Sequence, residues 1–235
     1  IGLAYDWAYH LLTEPQREVF REGLRIRAFE PYWQSVEVDA WWVRGANNFT
    51  PCIAGGVAIA AMCLGNDGYP RADELVDHVT GLLEPFLDNY GPDGEFNESV
   101  GYAGATQLSV EYWIAENYYR GGINRLARSP FPEFARWWMH FLLPGNRYAA
   151  LGDGHVDVAP ASALFAALAQ ANREPIFQWQ YLRSAQTTQR RQPHLELLWH
   201  DPTVQPENPE GKLPHGRVFK AYGGCVSSRS GWNSD

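Results

Sequence analysis

The chain is poor in cysteine. Cys52, Cys63 and Cys225 form an odd, sparse set in 235 residues. If residues 48 to 64 are helical, Cys52 and Cys63 stand roughly 16 Å apart at about 1.5 Å per residue, too far for a disulfide. None of the three has metal-ligand spacing, so they define neither a metal site nor a compartment. Basic runs are missing as well. The net charge is −8, which argues against a nucleic-acid surface. One buried cationic or amide-lined pocket could still oppose that global charge and take an acidic substrate. No uninterrupted apolar run reaches about eighteen residues, so no membrane span is expected. Neither an initiator Met nor a signal-peptide pattern stands at Ile1, and the chain closes on "SGWNSD". It therefore reads as a piece of a longer protein.

Aromatic residues are what the sequence has in excess. Ten Trp and twelve Tyr raise the aromatic share to 14%. A well-packed core accounts for this, and so does a carbohydrate cleft, because flat rings cover sugar faces while their polar edges reach hydroxyls. The 45% hydrophobic content is ample for one core or two. The stretch "WWVRGANNFTPCIAGGVAIAAM" sharpens the choice. Trp41 and Trp42 lead into Asn47 and Asn48, which open a small-residue helix, and an aromatic-walled polar helix mouth suits a sugar.

The spacing predicts helices throughout the first 200 residues. Thr13 with Gln16 fits a capping box, and Val19, Phe20, Leu24, Ile26 and Phe29 follow at near-helical intervals. Further helices are expected over 48–64 (stopped by Gly65), 72–89, 101–119, 132–143, 160–171, 174–183 and 193–199, with Gly- and Pro-rich loops between them. Polar loops open onto small-residue helices near Asn48, Tyr102 and Pro160, a period of roughly 55 residues that suggests stacked helical hairpins. After residue 200 the four prolines of "DPTVQPENPEGKLPHG" read as a linker, and "RVFKAYGGCVSSRSGW" reads as a β-hairpin around Gly223 and Gly224.

Five stretches, "YDWAYHLLT", "NNFTPCIAGG", "DGEFNESVGYAGAT", "LGDGHVD" and "GRVFKAYGGCVSSRSGW", resemble in order the heparinase II/III-like and alginate-lyase group of polysaccharide lyases. The resemblance implies a mainly α fold, an incomplete (α/α) toroid over 1–200, a linker over 201–216 and the first strands of an antiparallel β-sandwich over 217–235. It implies β-elimination on a uronic-acid-containing polysaccharide, with no metal or other cofactor for the elimination, no nucleic-acid partner, and a periplasmic or secreted location. An amide neutralises the uronate carboxylate, a Tyr or His removes the C5 proton, and a Tyr protonates the departing O4.

The resemblance places the amide on Asn48, with Asn47 the choice if the register shifts by one, and the catalytic tyrosine on Tyr102. Helix-start N–H groups favour an anion and an Asn side chain adds donors, although Asn is also an ordinary helix cap. Trp41, Glu98, Asp153 and His155 are substrate-binding candidates. Two departures stand out: Phe49 occupies the position where several alginate-cleaving relatives carry His, and the family's further catalytic His would fall beyond Asp235. Rival readings are a glycoside hydrolase using two of Asp93, Glu95, Glu98, Asp153 and Asp157, and a non-catalytic glycan-binding fragment with Trp41, Trp42, Trp137 and Trp138 as platforms. Asp153, His155 and Asp157 alternate as a metal site would, on an ordinary Gly-Asp-Gly turn.

Overall fold

The computed structural model describes residues 1–44, 47–122, 124–154, 162–186 and 192–232. It is mainly helical, with two small antiparallel sheets. Gly2–Ala8 (α1), Glu14–Leu24 (α2), Glu30–Glu37 (α3), Trp41–Arg44 (α4), Gly56–Gly68 (α5) and Ala72–Phe86 (α6) come first. Ser99–Tyr102 (α7), Ala105–Arg120 (α8) and Phe131–His140 (α9) follow. Leu142–Leu143 (β1) and Arg147–Tyr148 (β2) pair as a short hairpin. Then come Ser162–Asn172 (α10), Pro175–Ala185 (α11) and Pro193–Trp199 (α12). A second hairpin, Gly216–Phe219 (β3) with Cys225–Ser228 (β4), pairs Phe219 with Cys225 and Gly216 with Ser228. Among the described residues no helix is long and apolar enough to cross a membrane.

The chain forms two compact units, and each is discontinuous in sequence: Ile1–Asp88 with Glu111–Ile123, and Asn89–Val110 with Asn124–Asp235. In the first unit, the capping box at Thr13 forms, with Thr13 N–H donating to Gln16 Oε1 at 2.8 Å. A π-helical turn, Arg25–Phe29, joins α2 to α3 without a break. That wider turn explains a difference from the sequence pattern. The buried face runs through Leu24, Phe29 and Tyr32, and the five-residue step from Leu24 to Phe29 spans one π turn. Ile26, expected inside, is pushed to the surface, and Val19 is exposed as well. Small residues let α5 pack closely: a methyl group on Gly2 of α1 would stand 2.6 Å from the Ala60 backbone. The core of α6 is Leu75, Val76, Val79, Leu83 and Phe86. The second half of α8 joins this unit through Tyr112, whose hydroxyl lies 2.7 Å from the Thr80 hydroxyl and 3.2 Å from the Val76 carbonyl.

In the second unit α10 is the inner helix, buried from Ser162 to Ala169 and packed against α9, α11 and α12. Trp137 and Trp138 are buried in α9, so they are core residues and not glycan platforms. Trp138 stacks on Tyr148 of β2 at 4.7 Å, which explains why a hairpin forms where the sequence suggested only a loop: β2 delivers an aromatic face to the core. Residues 201–215 carry no regular element before β3, yet Val204 and Leu213 are buried, and Glu207 N–H donates to the Pro175 carbonyl at 3.1 Å. These prolines shape a packed strap. The β3–β4 hairpin rests on α9, with Phe219 against His140 and Phe141.

Candidate functional site

In the first unit, the expected helix mouth is built as a capped turn. The side-chain oxygen of Asn47 accepts the Phe49 N–H at 3.0 Å, and its carbonyl accepts the Thr50 N–H at 2.9 Å. Asn47 is therefore the cap, and Asn48 sits one residue inside, in the first turn. The helix begins with a π-helical segment, Thr50–Gly55, before α5. Pro51 in that first turn has no N–H to satisfy, so the wide turn leaves one donor fewer to place. Such wide turns recur at functional sites. The two leading tryptophans part company: Trp42 is buried, while Trp41 is 64% exposed and meets the ring of Phe49 edge-on at 4.9 Å. The aromatic wall of the mouth is thus Trp41 with Phe49.

In the second unit, two of the motif stretches dock on one another. The Tyr90–Phe96 loop closes first, through an antiparallel bridge between its ends and the Gly91 N–H to Glu95 carbonyl bond of 2.7 Å. Gly94, at φ +85°, presses its backbone on the first turn of α9; a methyl group there would lie 2.2 Å from the Phe134 nitrogen. The chain then turns through Glu98 and Ser99 into α7. The Ser99 hydroxyl donates to the Leu151 carbonyl at 3.1 Å, and the Gly101 N–H donates to the same carbonyl at 3.3 Å. A methyl on Gly101 would meet Gly154 N at 2.5 Å, and one on Gly152 would meet Ser99 Oγ at 2.1 Å. Ser99 holds φ +72°, a left-handed conformation that costs a non-glycine residue about 1 kcal/mol or more. Strain of this kind persists where surroundings enforce it, here the two bonds to Leu151.

This docking brings the segment carrying Glu98 and Tyr102 against the one carrying Asp153. Glu98 is half-buried, Asp153 is exposed, and the Tyr102 ring is 40% exposed at the end of α7. His155 and Asp157 lie outside the described residues, as does Pro160. Among the described residues no group of three His, Cys, Asp or Glu could hold a metal ion.

The carboxylates a hydrolase would need are partly committed elsewhere. Glu95 is only 3% exposed and accepts three backbone N–H groups, from Asp93 at 2.9 Å, Lys220 at 3.1 Å and Ala221 at 3.2 Å. Asp93 pairs with the Arg217 guanidinium. Both acids thus fasten the end of β3 to the Tyr90–Phe96 loop. Sequence reasoning missed this clasp, since a buried Glu in a Gly-rich loop looks solvated until its two distant backbone partners, Lys220 and Ala221, about 125 residues away, are known. The left-handed Ser99 was equally hidden.

No model of a known protein family matches the chain.

Proposed function

We propose that this chain is the toroid portion of a polysaccharide lyase, followed by the first strands of a β-sandwich, that cleaves a uronic-acid-containing polysaccharide by β-elimination. Asn48 neutralises the uronate carboxylate, which acidifies the C5 proton. Base abstraction of that proton, formation of the C4–C5 double bond and departure of O4 complete the elimination, with one proton transfer carried by Tyr102. Holding the developing enolate-like charge is electrostatic stabilisation. No nucleic acid or membrane has a part in this reading, and a periplasmic or secreted location goes with it.

The observation that carries the proposal is the docked pair of turns. Hydrogen bonds, close glycine approaches and a strained Ser99 hold the backbone beside Tyr102 while leaving its ring exposed. Fixing a proton-transfer group on a rigid turn is how an enzyme pre-orients it. The Trp41–Phe49 pair at the Asn47–Asn48 turn supports the sugar-binding part of the reading. The backbone clasp on Glu95 and the ion pair of Asp93 weigh against the hydrolase.

The test is optical, because elimination leaves a conjugated unsaturated uronate that absorbs in the near ultraviolet and hydrolysis does not. Heparan sulfate, alginate and other uronic-acid polymers are supplied in parallel, with Tyr102→Phe as control. The expected result is a rise in absorbance on at least one polymer, reduced by at least about a hundredfold in Tyr102→Phe, as for loss of a general acid or base. Reducing ends without absorbance would show a hydrolase. Binding without either would leave a glycan-binding protein.

A further inference from the structure

The second unit contains a cavity of about 240 Å³ that takes no part in the reading above. It lies between the end of α9, the β1–β2 hairpin, α11 and the segment after β4. Two arginines line it, and each is stacked on its own tryptophan. Arg183 lies over Trp179, one helical turn earlier in α11, with 4.6 Å from guanidinium carbon to ring centroid, and Arg229 lies over Trp232 at 3.7 Å. His140, Asn146, Gln180, Ser228 and Ser230 add to the polar lining, and no Asp or Glu lines the cavity among the described residues. For a chain of net charge −8 this is a local inversion of sign.

The geometry of Arg229 shows how the inversion is held. One of its terminal nitrogens donates to the carbonyls of Met139 at 2.9 Å and His140 at 3.0 Å, at the end of α9, and to that of Leu142 in β1 at 3.2 Å. The Met139 and His140 carbonyls belong to the negative end of the helix, so α9 anchors the guanidinium without supplying a full counter-charge. Burial, and then the charge of Arg183, hold Arg229 below its ordinary value, as expected where two cations face one enclosed space. Stacking on tryptophan fixes the planes of both guanidiniums, which spares part of the entropy that an unanchored arginine loses on binding.

We infer that this cavity is a binding site for a small oxyanion, a carboxylate or sulfate group such as acidic sugars bear, gripped by Arg183 and Arg229. Guanidinium forks match the paired oxygens of such groups, and an anion relieves the repulsion between the two arginines. The site uses neither Asn48 nor Tyr102, so it stands whether or not the chain is a lyase.

Titration of the whole chain with sodium sulfate and, separately, sodium glucuronate tests this, at ionic strength held constant with chloride. Trp179 and Trp232 line the cavity, so tryptophan fluorescence reports occupancy directly and the melting temperature reports it by linkage. Either anion should give a saturable change that chloride and neutral glucose do not. Arg183→Gln should weaken it at least about tenfold, the order of one charge-assisted pair, while Arg71→Gln, which gives up an exposed ion pair with Glu74 in the first unit, leaves it unchanged. Arg183 is half-exposed in the last turn of α11, and the melting temperature of the unliganded Arg183→Gln variant checks that it keeps the fold; Arg229→Lys, which disturbs the end of α9, serves only as a second check. Sulfate without glucuronate, or the reverse, would define which oxyanion fits. An equal response to chloride, or undiminished binding by Arg183→Gln, would overturn the assignment.

Discussion

Among the described residues, His140 is a titratable side chain strongly altered by its place in the fold. It is 4% exposed, its Nδ1 lies 3.3 Å from the Ser227 hydroxyl, and that hydroxyl donates back to the His140 carbonyl at 2.8 Å. Burial, then the charges of Arg229 and Arg217, push its pKa down to about 4. An unfolded histidine titrates near about 6.5, so between those values the unfolded chain binds the extra proton and the folded one does not. Acidification through that window therefore destabilises the fold, by up to about 3 kcal/mol at about 1.4 kcal/mol per pK unit, with no further loss from this group below it. Melting curves across the window should show that slope, and His140→Gln should flatten it; parallel curves would assign the acid lability to other groups. Sequence alone does not disclose this behaviour. His140 ends an amphipathic helix pattern, and only its contacts with Ser227, Phe219 and Trp232, all distant in the chain, separate it from a surface histidine.

At the scale of elements, local chemistry was legible where it is local. The Thr13 capping box, the break in α5 at Gly65 and the glycine-centred β3–β4 hairpin all rest on residues a few positions apart. The sequence pattern also shows Trp179 and Arg183 on one helix face, four residues apart, although their shared cavity with Arg229 requires the fold. What escaped was set by distant packing: the π turn at Arg25–Phe29, the β1–β2 hairpin and the docking of Ser99 and Gly101 on Leu151. Glycines give a direct contrast at this scale. Gly81 lies within α6 with open space where a methyl would go, so Gly81→Ala should stabilise by about 0.5–1 kcal/mol through helix propensity. Gly94→Ala demands a left-handed alanine and drives its methyl into the α9 backbone, and should cost at least about 3 kcal/mol. Denaturant unfolding of the two variants should move in opposite directions. Equal shifts would mean that the loop gives way instead.

At the scale of the whole molecule, long-range ties matter most where a polar group is buried. Glu95 gathers backbone N–H groups from its own loop and from the residues after β3. Glu95→Ala leaves those donors without their acceptor and should destabilise the second unit by about 3 kcal/mol or more, whereas Glu207→Ala, which gives up only an exposed ion pair with Lys212, should stay within about 1 kcal/mol. Hydrogen exchange read at Lys220 and Ala221 would check this, with faster exchange in the first variant alone. The mainly helical class was readable from periodicity, but the partition into units was not, because helix α8 contributes to both and its apolar pattern changes partners part-way along without a break in sequence.

That shared helix bears on how the protein is made. Residues 89–110 interrupt the first unit, and its closing segment, Glu111–Ile123, follows only after part of the second has been synthesised. During translation the early residues must wait, incomplete, until α8 emerges from the ribosome, and the Asn89–Val110 segment must then wait for everything from Asn124 onward. Neither unit can be cut out of the gene as one uninterrupted reading frame, and a nascent chain stalled between them would present both with a missing piece.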